Sequence, residues 1–314
     1  MHMLAEEIPV LKNTLSSAED HVDKIVKTLS YFKVFSYPLT MEQLYLFYPV
    51  KLTFHDFQQL LSHCIAKGIV HEYLGYLSLY PALPSINTRL LSEIAHGKIW
   101  KSALRNARLI HRFPFVLSVS ISGSCAKGVF PKDADVDFFI ITQPGKLWLC
   151  RTLLILYKKI FRANSHRFFC INYLIASDAR EIPDKNLFTA IELATLVNIT
   201  GKEIFTEFEK ANSWYRQYLP NHTGPGIREC PDPPKYFVFR WLEQLSPDGL
   251  VCKADDFLLR LSHRFRKRKF NKMDKEEFSL NLRTLKSVSK HHPRGFQYKV
   301  LQRMEEIYKQ VALP

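Results

Sequence analysis

Ser120-Ile121-Ser122-Gly123-Ser124-Cys125-Ala126-Lys127-Gly128-Val129-Phe130-Pro131-Lys132-Asp133-Ala134-Asp135-Val136-Asp137-Phe138-Phe139-Ile140-Ile141 is the stretch of this 314-residue chain on which the fold is read. Upstream, Phe115 to Ile121 alternates small polar with apolar residues, as a half-buried strand does. Downstream, Val136 to Thr142 reads as a second strand, apolar on both sides. Two phosphate-binding patterns fail on the turn between them. Gly123 and Gly128 have the P-loop separation, but Val129 and Phe130 follow where that loop needs Lys and then Ser or Thr. A dinucleotide fingerprint fails too, because Cys125 replaces its second glycine.

A third pattern fits. A strand ends in Gly123-Ser124, a short helical turn follows, and the next strand opens with Asp135-x-Asp137. Gly123 lets the backbone approach a phosphate closely. Ser124 and the amides of the following turn offer hydrogen-bond donors to an anion. Residues 135 and 137 are two apart on a strand, which places both carboxylates on one face, their Cα atoms roughly 6 to 7 Å apart. Hard oxygen ligands on one face suit Mg²⁺ that also holds a triphosphate. The competing reading is a solvated acidic turn, with Asp133, Asp135 and Asp137 as polar-face residues. Against it, Val136, Phe138, Phe139, Ile140 and Ile141 are apolar, and carboxylates entering a buried strand need partners or a metal.

This constellation resembles the nucleotidyltransferase superfamily of the DNA polymerase beta type, over roughly residues 88–200. The resemblance implies an α+β fold in which a mixed sheet carries helices. It also implies that Gly123 and Ser124 grip the triphosphate of an NTP such as ATP, and that Asp135 and Asp137 ligate Mg²⁺ or Mn²⁺ and are catalytic. Lys127 would add charge to the nucleotide site. The family supplies a third carboxylate from the next core strand. Here that strand, Phe168 to Ala176, carries Asn172 instead. An amide oxygen can ligate Mg²⁺ but cannot take a proton. Asp178, just past the strand, and Glu192, on the following helix, are the candidates for the missing group. Cys125 reads as a small packing residue, and His291-His292 have no metal-ligand spacing with any cysteine.

Three regions are expected: 1–86, 87–218 and 219–314. In the first, Val22 to Phe32 has a helical period. Thr40 with Gln43, and Thr53 with Asp56, read as the starts of a second and a third helix. The third ends at Gly68, and Ile69 to Leu79 around Gly75 reads as a hairpin. Three helices and a hairpin resemble a winged-helix domain by pattern. Lys51, His55, Gln58, Gln59, His63 and Lys67 on the third helix bring only two fixed positive charges. That is a poor footprint for DNA, so packing against a neighbour or partner is the competing role. In the second region, residues 88–112, Lys146 to Arg162, Leu187 to Asn198 and Glu203 to Tyr218 read as helices. Asn212-x-Trp214 and Tyr218 to Asn221 read as a helix end with aromatic anchors and no chemistry. A Pro- and Gly-rich linker over Pro220 to Pro234 leads to a C-terminal basic helical region.

The chain carries a net charge of +14, and half of it falls between Arg260 and Lys275, with eight Lys or Arg against the single acid Asp274. Arg264, Arg266, Lys267, Arg268 and Lys269 within it are a candidate docking site for an anionic partner, whether RNA, DNA or lipid. A solvated helix face is the alternative. A composition of 46% apolar and 24% charged residues excludes disordered and fibrous classes. No apolar run is long enough to span a membrane, since the best, Leu147 to Ile155, is broken by Arg151. Acids at Glu6, Glu7 and Glu19 argue against a signal peptide, and six scattered cysteines without a CxxC pair argue for a reducing, cytoplasmic setting. The expected function is transfer of a nucleoside monophosphate from an NTP to an acceptor hydroxyl of unknown class. The alternative is a catalytically impaired nucleotide-binding protein that regulates by holding nucleic acid or protein.

Overall fold

The computed structural model describes residues 7–81, 83–161, 167–245, 247–291 and 296–312. Arg162, the expected helix end, and His292 lie outside the described residues. The chain forms two compact units. One comprises 1–90, 216–223 and 298–314, and the other 91–215 and 224–297. The segment 219–314, read as a separate region, is thus divided between them.

The first unit opens with helices α1 (Glu7–Lys33), α2 (Met41–Phe47) and α3 (Phe54–Ala66), followed by a hairpin of β1 (His71–Tyr73) and β2 (Tyr76–Ser78). The helix starts follow their caps. Gln43 N donates to Thr40 Oγ1 at 3.3 Å while Thr40 N donates to Gln43 Oε1 at 3.2 Å, a complete capping box. Thr53 Oγ1 accepts from Asp56 N at 3.1 Å. The hairpin turns through Leu74 and Gly75, both at positive φ (53° and 77°), as a two-residue turn between twisted strands requires. Ile25, Leu29, Leu44, Phe57 and Leu61 fill the core. Asn221 explains the residues that had no chemistry: its Nδ2 donates to Tyr48 O and Val50 O, and its Oδ1 accepts from Leu52 N, which pins the α2–α3 connection.

Helix α4 (Leu83–His111) leads into the second unit. There β3 (Val116–Ser122), the single turn α5 (Gly123–Ala126) and β4 (Asp137–Thr142) make an antiparallel pair. Helix α6 (Leu147–Phe161) crosses over to β5 (Cys170–Ala176), which lies parallel to β4. Next come α7 (Leu187–Ala194), β6 (Val197–Thr200), α8 (Lys202–Ala211), a 3₁₀ turn at Ser213–Gln217 and β7 (Gly226–Ile227). The remainder is α9 (Phe237–Leu245), α10 (Asp248–Lys269), α11 (Lys275–Asn281) and β8 (Val288–Lys290), while α12 (Phe296–Ala312) belongs to the first unit from Tyr298 on. The strands form one mixed sheet in the order β7-β6-β3-β4-β5-β8, so the fold is α+β. Residues of α4 and α6 pack with Val119, Ile121, Phe138, Ile140 and Leu174 on one face. Phe139, of opposite parity, stacks on Tyr173 and meets Phe208 of α8 on the other.

Three strands correct the sequence reading. The helix expected over Leu187 to Asn198 stops at Ala194, and its last residues belong to β6. The Nδ2 of buried Asn198 is satisfied there, donating to Ser118 Oγ at 2.9 Å and to Thr200 O at 2.9 Å, while its Oδ1 has no hydrogen-bond partner among the described residues. Strand β7 lies in the expected linker and β8 in the expected helical region. Each owes its state to a neighbouring strand rather than to its own two or three residues. Gly201, after β6, sits at φ 70°, where a Cβ would come within 2.0 Å of Leu117 O. No other residue fits that approach. Among the described residues no helix is long and apolar enough to cross a membrane.

Candidate functional site

Ser122 and Asp137 are register partners on β3 and β4, so the end of one strand and the start of the other meet. Gly123 follows Ser122 at φ 68°, and a Cβ on it would lie 2.8 Å from Asp137 Oδ2. A glycine is therefore what allows the turn to close over this carboxylate. Strand β4 begins at Asp137, so Asp135 precedes it rather than lying on it as expected; Val136, between them, donates to Arg167 O and accepts from Cys170 N. Burial, with the charges of Asp135 and Glu192 nearby, pushes the Asp137 carboxyl up to about 7, against the opposing pull of a hydrogen bond from Cys170 and the charge of Lys127.

The β4–β5 register slips between Phe138 and Phe139, leaving Asn172 as the extra residue of a bulge. The bulge turns its amide to the site. Asn172 Nδ2 donates a short hydrogen bond to Asp137 Oδ1, while its Oδ1 accepts from Cys170 Sγ at 3.1 Å. The strand beside Asp-x-Asp thus presents an amide where a third carboxylate was sought.

The two substitutes part company. Asp178 is exposed and lies beyond Ala176, whose register partner is Thr142 at the far end of β4. Five residue steps, about 17 Å, separate that end from Asp137. Asp178 is therefore withdrawn as a site residue. Glu192 of α7 lies on the cavity wall that includes Gly123, Asp137 and Asn172. It pairs with Lys127 Nζ at 2.6 Å, and the same Nζ donates to Gly123 O at 3.3 Å. Lys127 is thus held across the Gly123 turn. Ser124 follows on α5, outside that lining. Cys125 is buried and its thiol is pushed up to about 12, as suits a packing residue.

The cavity is open to solvent and has a volume of about 100 Å³. Its far wall holds residues that the sequence did not mark. Asp184 bridges Arg283 Nη2 at 2.8 Å and Lys290 Nζ at 3.1 Å, and Lys290 also donates to Gln297 Oε1 at 3.1 Å. Burial opposes ionisation of Asp184, but the two cations hold its carboxyl below the usual value. Phe139, Tyr173 and Phe188 supply apolar surface between the two charged ends. Nothing in the local pattern of Pro183-Asp184-Lys185 or Ser289-Lys290 announces this cluster. It forms because β8 pairs with β5.

The basic run also divides. Arg266 is buried (3% exposed), and its guanidinium donates to the carbonyls of Leu282, Arg283 and Lys290 and to the hydroxyls of Thr284 and Ser289. It serves the edge of the sheet and leaves the docking set. Arg264, Lys267, Arg268 and Lys269 are exposed.

Among the described residues no group of three His, Cys, Asp or Glu is arranged to hold a metal ion. Asp135 and Asp137 offer two hard oxygen ligands, and the raised affinity of Asp137 for a proton is the electrostatic condition that a divalent cation relieves. That donor set fits Mg²⁺ or Mn²⁺ sharing its shell with ligand oxygens and water. No protein-family model, curated protein or solved structure matches the chain.

Proposed function

We propose that this chain is a nucleotidyltransferase of the DNA polymerase beta type, transferring a nucleoside monophosphate from an NTP to an acceptor hydroxyl with release of pyrophosphate. One observation supports the reading: Gly123 closes on the Asp137 carboxylate, and both line one cavity. The order α4, β3, α5, β4, α6, β5 supports it. Asp135 and Asp137 hold Mg²⁺ or Mn²⁺, which when bound neutralises charge on the transferring phosphoryl group. Gly123, Ser124 and Lys127 hold the triphosphate. Glu192, on the same cavity wall, orients the attacking hydroxyl in this reading, and its pairing with Lys127 couples it to the triphosphate side. The acceptor, whether nucleic acid, protein or small molecule, enters the cavity between Asp137 and the Asp184–Lys290 pair. Purified protein incubated with α-labelled NTPs, Mg²⁺ or Mn²⁺ and candidate acceptors tests this. Transfer that persists undiminished in Asp135→Asn/Asp137→Asn protein refutes the assignment.

The hydrogen bond from Asn172 to Asp137 favours a second reading, a nucleotide-binding regulatory protein without turnover. Asn172→Asp separates the two. An active enzyme transfers label before and after this change, whereas the regulatory protein binds NTP and transfers label only in the variant, if at all. The N-terminal unit resembles a winged helix, and α3 is the element that DNA binding would use. Lys51 donates to Pro220 O at 3.0 Å, which holds one of the two fixed cations against the protein's own backbone and favours a packing role.

A further inference from the structure

Helix α10 is two-sided in a way that the count of its charges hides. Its inner side is anchored: Val251, Asp255 and Arg266 are buried, and Asp255 Oδ1 accepts from Leu149 N of α6 at 2.7 Å. Its outer side leaves Phe257, Leu261 and Phe265 at 61%, 52% and 66% exposure, and Leu250 one further turn-pair away at 65%. Spacings of seven, four and four residues place these on one stripe, about 22 Å long. Lys253, Arg260, Arg264 and Arg268 are exposed and lie along or beside that stripe. From Phe257 to Met273 the chain carries no acid.

Large exposed apolar side chains in a row are costly in water and mark a surface that is covered in use. The chemistry of the flank selects the cover. Phosphates of a duplex would engage the arginines and leave the phenylalanines and leucines wet, and a single strand that stacks bases on Phe257 and Phe265 would still leave Leu250 and Leu261 wet. A second protein would need acids opposite the cation row. The interface of an anionic bilayer meets both requirements at once, since acyl chains take the apolar stripe while headgroups neutralise the cations. We infer that the outer face of α10 docks the protein on an anionic lipid surface, lying in the interface without spanning it. The inference does not depend on the nucleotidyltransferase reading, and its test uses no nucleotide.

The test is co-sedimentation of the full chain with phosphatidylcholine vesicles containing on the order of 30% phosphatidylglycerol, against pure phosphatidylcholine vesicles. Binding is expected to the first and not to the second, and to weaken with salt. Arg260→Gln/Arg264→Gln/Arg268→Gln lowers partition about 100-fold, given the usual contribution of each cation at an anionic surface. Phe257→Ser/Leu261→Ser/Phe265→Ser lowers it more than about tenfold by removing the inserted stripe. All six positions are exposed, so unchanged thermal melts accompany both variants. No vesicle binding by the wild type, or binding indifferent to the apolar substitutions, overturns the inference. So does a single-stranded RNA that binds the wild type and the apolar variant equally while displacing vesicles. A dimer in light scattering that the apolar substitutions dissociate, with no vesicle binding, also overturns it and assigns the face to a second copy.

Discussion

At the scale of single residues, two glycines sit at nearly the same positive φ for different reasons and carry different costs. At Gly123 an added Cβ meets a carboxylate oxygen of Asp137 at 2.8 Å, whereas at Gly201 it meets backbone, Leu117 O at 2.0 Å. A side chain can turn aside and a strand cannot. Gly123→Ala is expected to cost about 1 to 3 kcal/mol and to lose nucleotide binding with it. Gly201→Ala, which forces β3 and the start of α8 apart, costs more than Gly123→Ala. Thermal melts of both variants, with nucleotide titration of the first, check the order. His222 carries a pH signature. Burial, reinforced by the charge of Arg216, lowers its pKa to about 4, below the ordinary 6.5. The unfolded chain therefore binds the proton more tightly than the folded one. Stability from this group is complete above pH 6.5 and is lost as pH falls toward 4, by at most about 3 kcal/mol. His222→Gln is expected to flatten the stability profile over that window, measured by melts at fixed ionic strength.

At the scale of elements, the edge strand β8 shows how a short segment is held. Three residues pair with β5, and Arg266 of α10 ties the strand to the chain that precedes it through five acceptors. Burial lowers this guanidinium to about 9, so the bonds offset a real desolvation cost. Removing the donor leaves several buried acceptors unmet. Arg266→Gln is expected to destabilise the second unit by about 3 to 5 kcal/mol. Arg264→Gln, two residues away and exposed, stays within about 0.5 kcal/mol of wild type. Denaturant melts followed by Trp148, whose indole donates to Leu285 O at 2.8 Å, read the difference. The same strand explains a gap in the sequence reading. Caps at Thr40 and Thr53, the Gly75 turn and the Asp-x-Asp strand were legible because each signal spans a few residues. Strands β6, β7 and β8 were not, because two to four residues carry no period, and what makes them strands is the neighbour they bond.

At the scale of the whole molecule, each of the two units is closed by chain that returns from far along the sequence. Residues 298–314 belong to the first unit, where the Tyr308 hydroxyl bonds Asp23 and Lys27 stands over the Tyr308 ring at 4.6 Å. Val300, Met304 and Ile307 on α12 are buried. Deleting 298–314 is expected to cost more than about 4 kcal/mol, since it strips three buried apolar side chains. Hydrogen exchange in α1 reads that loss. A deletion that leaves α1 protected as before contradicts the role given to this segment.

The amino-acid order alone determined the local chemistry of this protein: an α+β chain, a Gly-Ser turn before an Asp-x-Asp strand, a helix-rich N-terminal part and a concentrated positive charge. Tertiary structure decided what those features face. It closed Gly123 on Asp137 and bulged β5 so that Asn172 bonds the same carboxylate. It placed Glu192 on the cavity wall and put Asp178 at the opposite end of the sheet. It also turned Arg266 inward while its neighbours on α10 stayed in solvent. The reason is one of range. Caps, turns and strand alternation act over a handful of residues and are written in them. The partner of a carboxylate, or the side of a helix that meets water, depends on strand register and packing between segments 16 to 65 residues apart.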